Sequence, residues 1–379
     1  MTQPNEPTPY RSPEQPGLTE QPTWIRWHVV ALLMGYSFMT WFNRVSMEAA
    51  GAEIIKAETL TKTQVGTVYS AFFLCYTIFM TPGGWFSDRF GAKAALVWMG
   101  FGSAVFGACT GLVGLSATSP AMLLGLLWLV RGAMGVFTAP VYPASGRTIA
   151  QWLPYESRGW ANGLVQGSAS AGIASAYVTF TWLIGLVGWP ASFLVTGAVT
   201  AALAFIFAMY VTNRPTSHRG TNVAEQRLIA GASGVAGDYP KNQQFGDSAS
   251  AVAVSPRQIV LAVVAVLREW LDLLRHRSLL FLTLSYTAVG YFEYLFFFWM
   301  PNYFKDELHF GDAESRFYGT FPPIAMAIGM LLGGWLSDRI ARLHGYRLGR
   351  VIVPACGMSL ATVLLAGGII AANTSASPP

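Results

Sequence analysis

The sequence predicts an all-α membrane protein built from two pseudo-symmetric helical bundles, and three observations support that class. Of 379 residues, 53% are hydrophobic and 11% charged, whereas a soluble domain carries about 25% charged residues. Apolar runs of about 20 residues, the length that crosses a hydrocarbon core, recur along the chain. The pattern Gly83-Gly84-Trp85-Phe86-Ser87-Asp88-Arg89 returns as Gly333-Gly334-Trp335-Leu336-Ser337-Asp338-Arg339, each copy where an apolar run meets a basic loop. Such a repeat in matching membrane context points to two halves derived from one unit, an architecture found mostly among transporters.

Nine spans are expected in order, near 25–47, 63–82, 93–115, 120–142, 160–186, 190–211, 279–301, 317–336 and 350–372. The first 23 residues are rich in Pro and Gln and lack an apolar core ahead of a cleavage site. No cleaved signal peptide is therefore expected. Of the 24 Lys and Arg, only Lys56, Lys62, Lys305 and Arg316 fall outside when the N-terminus is cytoplasmic, and Arg44 and Arg131 fall within spans. That asymmetry places the N-terminus inside and the end of this nine-span chain outside, in the cytoplasmic (inner) membrane.

The expected organisation is a disordered cytoplasmic tail at 1–23, a six-helix bundle at 24–211, a cytoplasmic linker at 212–278 and an incomplete three-helix bundle at 279–379. The middle of the linker, 231–256, is too poor in large apolar residues to pack. An interfacial helix is expected at 258–275, where Arg268, Glu269, Asp272 and Arg275 follow an apolar run. Small residues mark close helix contacts: Gly107 and Gly111, Gly163 and Gly167, Gly329 and Gly333. A contact between spans five and eight is the preferred reading, with packing inside one half as the alternative.

The segment Gly84-x3-Asp88-Arg89-x-Gly91-x-Lys93 matches the loop 2–3 motif of the major facilitator superfamily. Much of the remaining chain resembles its anion:cation symporter family, the carriers of sugar acids and other organic anions. The resemblance is carried by Asn43-Arg44, Gln64-Val65-Gly66 through Tyr76, Arg131 to Pro143, and Trp152-x-Pro154-x-Glu156-x-Arg158. It continues through Gly188-Trp189, Asn222-x-Ala224-Glu225, Tyr291-x2-Tyr294 and Trp299-x-Pro301-x-Tyr303. Family members have twelve spans, so a chain showing nine is expected to be a fragment or a form without the last three helices.

Arginine within a membrane is costly unless it faces a wet cavity or a partner. The resemblance implies that Arg44 and Arg131 face a central cavity, where a guanidinium fork suits a carboxylate or phosphate. Snorkelling to the outer interface is the alternative for Arg44; pairing with buried carbonyls or an acid is the alternative for Arg131. Tyr76, Gln166, Tyr291 and Tyr294 join them as substrate-contact candidates, with aromatic packing as the plain reading of the tyrosines. The resemblance further implies a conformational latch, in which Asp338-Arg339 meets the cytoplasmic start of span five near Arg158. In the same scheme Asp88-Arg89 meets an eleventh span.

Proton-coupled relatives often carry acids at the positions held here by Asn43 and Thr138, neither of which titrates near physiological pH. Glu293 is the only acid expected deep in a span and is the candidate for coupling to protons; a structural or substrate-binding role is the alternative. The leading expectation is a secondary carrier that moves a small organic anion by alternating access. Sugar acids come first as substrates, then aromatic acids and phosphate. A non-transporting sensor or an inactive truncated remnant is the competing class. The span interiors hold no His, Cys pair or acid pair suited to an enzyme, and neither metal nor cofactor is expected. The +5 net charge is accounted for by cytoplasmic loops and gives no support for nucleic-acid binding. The sequence carries no signal of oligomeric state.

Overall fold

The computed structural model describes residues 21–58, 60–231, 275–306, 309, 311, 318 and 321–375. The expected linker centre and interfacial helix, and most of the N-terminal tail, lie outside the described residues. Among the described residues the helices run in order: α1 (Ile25–Glu58), α2 (Lys62–Phe90), α3 (Ala92–Ser116), α4 (Pro120–Thr138), α5 (Val141–Trp152), α6 (Arg158–Tyr210), α7 (Val223–Gly231), α8 (Arg277–Asp306), α9 (Phe321–His344) and α10 (Tyr346–Ser375). Six segments among the described residues are long and apolar enough to cross a membrane: Lys62–Phe90, Ala92–Ser116, Pro120–Trp152, Tyr155–Tyr210, Phe321–His344 and Arg347–Gly368.

The chain divides into two compact units, Met1–Asp238 with Gly329–Pro379, and Tyr239–Ile328. In the first unit α1 and α3 pack along α6, and α2 packs along α4. Val29, Leu33, Tyr36, Leu96, Met99, Trp152 and Phe207 are part of the core where α1, α3, α5 and α6 meet. The second unit contains α8 and the start of α9.

Local chemistry sets the helix ends. Thr61 caps α2 with a reciprocal box: its Oγ1 accepts from the Gln64 amide (3.2 Å) and its own amide donates to Gln64 Oε1 (2.8 Å). Ser119 caps α4 by accepting from the Met122 amide, and Pro120 follows at the first helical position. Gly91 (φ 93°) separates α2 from α3, and Gly345 (φ 92°) separates α9 from α10. Each follows one copy of the repeated motif, at a backbone conformation that favours glycine.

Several expected spans differ in extent from the helices. Span one continues as helix to Glu58, because residues 48–58 are dominated by Ala, Glu, Ile and Lys without a breaker other than Gly51. Spans five and six both lie in α6, as two helices that meet at a kink where Gly188 has non-helical backbone (φ 77°), two residues before Pro190. The contact between spans five and eight is present. It is built on Gly334 rather than on Gly329 and Gly333: a Cβ at Gly334 would lie 2.6 Å from the Gly159 carbonyl oxygen. Likewise a Cβ at Gly163 would lie 2.6 Å from the Met330 carbonyl oxygen.

The start of α1 is held by α7. Glu225, fully buried, accepts from Arg26 Nη1 at 2.7 Å and from the Arg26 amide at 3.3 Å. Asn222 Oδ1 accepts from the Glu225 amide, and Asn222 Nδ2 donates to the Gln21 carbonyl. A carboxylate at a helix N-terminus satisfies an orphan donor and matches the positive end of the helix dipole.

Candidate functional site

Arg44 and Arg131 come together within the first unit, and each is buried, at 7% and 2% exposure. The Arg44 guanidinium carbon lies 4.2 Å from the Trp41 ring centre and 4.1 Å from that of Phe73. Phe72 and Tyr76, stacked on each other, complete the surround at 5.6 Å each. Trp41 is itself fixed, since its indole nitrogen donates to the Tyr142 hydroxyl. Aromatic faces attract a guanidinium through their quadrupoles and engage its flat faces, while its N–H donors point outward in the plane.

Arg131 is used differently. Its Nη1 and Nη2 donate to the Asn43 carbonyl and its Nη2 to the Arg44 carbonyl, all at 3.3 Å, with a further contact to Met134 Sδ. Arg131 therefore braces the backbone of α1 at the residue that presents Arg44. A fork of donors on one planar group can span two adjacent carbonyls in this way, which a lysine ammonium cannot match.

Asn43 and Thr138 are both engaged in neutral hydrogen bonds. Asn43 Nδ2 donates to Thr200 Oγ1 (2.8 Å), tying α1 to α6. Thr138 donates to the Met134 carbonyl and shares a bond with Ser103 Oγ at 3.1 Å. One turn beyond Arg44 stands Glu48, whose Oε2 accepts from the Tyr177 hydroxyl at 2.9 Å. Tyr69 donates to the Met47 carbonyl beside it. Sequence reasoning missed Glu48 because it ended span one at 47; the spacing of four from Arg44 was the available signal.

Gln166 is half-buried on α6. Tyr291, Glu293 and Tyr294 lie on α8 in the second unit. Tyr291 is 73% exposed, Glu293 is half-buried, and the side chain of Tyr294 lies outside the described residues.

At the other end of the bundle, Asp338 Oδ1 accepts from the Gly159 amide (3.1 Å) and Oδ2 from the Trp160 amide (2.6 Å), at the first turn of α6. Arg350 on α10 pairs with the same carboxylate at 3.1 Å. Arg158 turns away, donating to the Leu153 and Ala150 carbonyls. Arg339 is exposed, with its guanidinium 5.8 Å from the Trp335 ring. In the first copy Asp88 pairs with Arg147 of α5 at 2.7 Å, and Arg89 is exposed. Arg350 and Arg147 carry no motif of their own, so neither was singled out from sequence.

The family profile described as Major Facilitator Superfamily matches residues 29–377. The chain belongs to that superfamily. This superfamily member is 30% identical over 327 residues to the D-galactonate transporter of Escherichia coli O6:H1, covering 85% of this chain and 70% of the relative. It is 27% identical over 331 residues to a probable sulfoacetate transporter of Cupriavidus necator (87% of this chain, 69% of the relative). A probable galactarate/D-glucarate transporter of Escherichia coli K12 is 26% identical over 347 residues (91% and 73%). Among solved structures, the proton:xylose symporter XylE superposes with a TM-score of 0.52 at 16% identity, covering 84% of this chain and 69% of XylE. A bacterial homolog of the human lysosomal transporter Spinster gives 0.51 at 17% identity, covering 84% of this chain and 64% of that one. The likeness to both is one of fold. The chain is thus a multi-pass membrane protein of a transporter superfamily, not an enzyme.

Proposed function

We propose that this superfamily member carries a small organic anion, with sugar acids as the first substrate class and Arg44 as the residue that holds the carboxylate. One observation carries the reading: Arg44 is buried on α1 with its guanidinium seated among Trp41, Phe72, Phe73 and Tyr76. A desolvated cation on an aromatic bed interacts more strongly with an anion than it would in water. Arg131 supports it from behind as a positioning residue, and Tyr76 offers a hydroxyl at the same place. The names of the similar carriers fit this chemistry, since galactonate, galactarate, glucarate and sulfoacetate all bear carboxylates.

In this reading the Asp338 cap on α6, with Arg350, and the Asp88–Arg147 pair are the latch that holds the cytoplasmic helix ends in one arrangement during alternating access.

The test is thermal stabilisation of the purified protein by D-galactonate, galactarate, sulfoacetate, an aromatic acid and phosphate, with Arg44→Ala and Arg44→Lys beside the wild type. A ligand raises the melting temperature when it binds the folded form preferentially. Arg44→Ala is expected to weaken binding of the preferred anion by about 100-fold or more, the loss that follows from removing a buried charged hydrogen-bond partner. Equal shifts in wild type and Arg44→Ala would overturn the assignment. Binding in the wild type without uptake into vesicles would favour a sensor over a carrier.

A further inference from the structure

We propose that Glu48, hydrogen-bonded by Tyr177, is a proton site coupled to the anion site at Arg44, so that an anion and a proton bind together on α1. The inference rests on the anion-carrier reading above and adds the residue that carries the proton.

Four features of the site support it. Glu48 lies four residues after Arg44 on one helix, and residues so spaced share a face. The groups that act electrostatically on Glu48 come from four helices: Arg44 on α1, Tyr69 on α2, Arg131 on α4 and Tyr177 on α6. Glu48 is half-buried and Tyr177 is partly exposed, so the carboxylate is shielded without being sealed from a proton source. The uncharged polar residues that flank the two arginines, Asn43 and Thr138, are committed to Thr200, Ser103 and the Met134 carbonyl, and neither has a proton to exchange in the physiological range.

The physical consequence is competition for the positive charge beside Glu48, with Arg44 the cation that the substrate would share. An ionised Glu48 offsets the charge of Arg44 and repels an arriving carboxylate; a protonated Glu48 leaves that charge to the substrate. Occupancy of Arg44 by an anion therefore favours proton uptake at Glu48, and the linkage is reciprocal. Protonation also changes what the Glu48–Tyr177 bond can be, because an ionised carboxylate only accepts whereas the acid also donates. That bond joins α1 to α6 across 129 residues. The proton state is in this way communicated to a helix that also carries the Asp338 contact.

The experiment uses the full chain in proteoliposomes with D-galactonate, galactarate and sulfoacetate as probes, comparing uptake driven by an acidic exterior with exchange at equal pH. In the wild type, a pH gradient drives accumulation, and stabilisation of the detergent-solubilised protein by the accepted probe depends on pH. Glu48→Gln is expected to lose gradient-driven accumulation, keep exchange, and bind the probe with no pH dependence. Tyr177→Phe, which keeps the ring, is expected to retain exchange and displace the pH profile. Accumulation and pH dependence of Glu48→Gln equal to wild type would overturn the proposal, as would their loss in Glu293→Gln alone. If Glu48→Gln unfolds, Tyr177→Phe decides the matter, and an unchanged pH profile counts against it. Failure of every probe to bind or exchange in the wild type removes the carrier reading, and the coupling with it. Loss of exchange in Arg44→Ala alongside intact exchange in Glu48→Gln separates the two roles.

Discussion

At the residue scale, two arginines of the same type do different work because of what surrounds them. Arg44 meets rings; Arg131 meets carbonyl oxygens of the neighbouring helix. Both remove a guanidinium from bulk water, and both interactions repay part of that cost, since buried charge is tolerated when its donors are satisfied. The two differ in what substitution should show. Arg131→Lys keeps the charge but cannot reach both carbonyls, and should lower stability by about 2 kcal/mol, a typical loss for hydrogen bonds to a charged group. Thermal unfolding in detergent checks this. Arg44→Lys should instead weaken anion binding with a smaller change in melting temperature. The opposite pattern would exchange the two roles.

At the element scale, the repeated Gly-Gly-Trp-x-Ser-Asp-Arg segment ends a long helix, and a positive-φ glycine then turns the chain into the next. In the second copy the glycine and the acid act together. Gly334 lets α9 approach the start of α6, and Asp338, one turn later, caps two amides there. Gly334→Val should separate the two helices, because its first side-chain carbon meets backbone oxygen, which cannot move aside as a side-chain end can. Asp338→Ala should cost about 1–2 kcal/mol through loss of the cap, and Asp338→Asn less, since an amide oxygen still accepts. Cross-linking of Ser170→Cys to Met330→Cys by a short bifunctional thiol reagent would report the separation, since these two side chains meet at 3.6 Å. Unchanged cross-linking in Gly334→Val would show that the close approach is dispensable.

At the scale of the whole molecule, the basic loops set the expected orientation of the chain. Thr118, between α3 and α4, belongs to an expected outer loop, and Arg219, after α6, to an expected cytoplasmic one. In a variant with Cys75, Cys109 and Cys356 replaced by Ser, a membrane-impermeant thiol reagent applied to intact cells should label Thr118→Cys and spare Arg219→Cys. The reverse labelling would invert the topology and place Asp338 and Asp88 on the outer side. The grouping of Gly329–Pro379 with Met1–Asp238 follows from the α6–α9 approach, whereas a division read from linker composition falls at 212 and 279.

Span positions were legible in sequence because hydropathy, caps and breakers act over a few residues; Thr61, Ser119, Gly91 and Gly188 each mark an element end within one turn of themselves. The family was legible for a related reason, since its motif is a short run at one helix junction. The end of span one was misread where apolar character faded while helix propensity did not, and Glu48 was lost with it. By itself the sequence determined the membrane class, the superfamily, the approximate positions of the long helices and the identity of the buried arginines. Only the tertiary structure decided that Arg131 braces α1, that Tyr177 meets Glu48, and that Asp338 meets Gly159 and Trp160. These contacts join residues 88 to 179 positions apart, and which helix face meets which is set by side-chain packing between elements, not by the local periodicity that makes each helix.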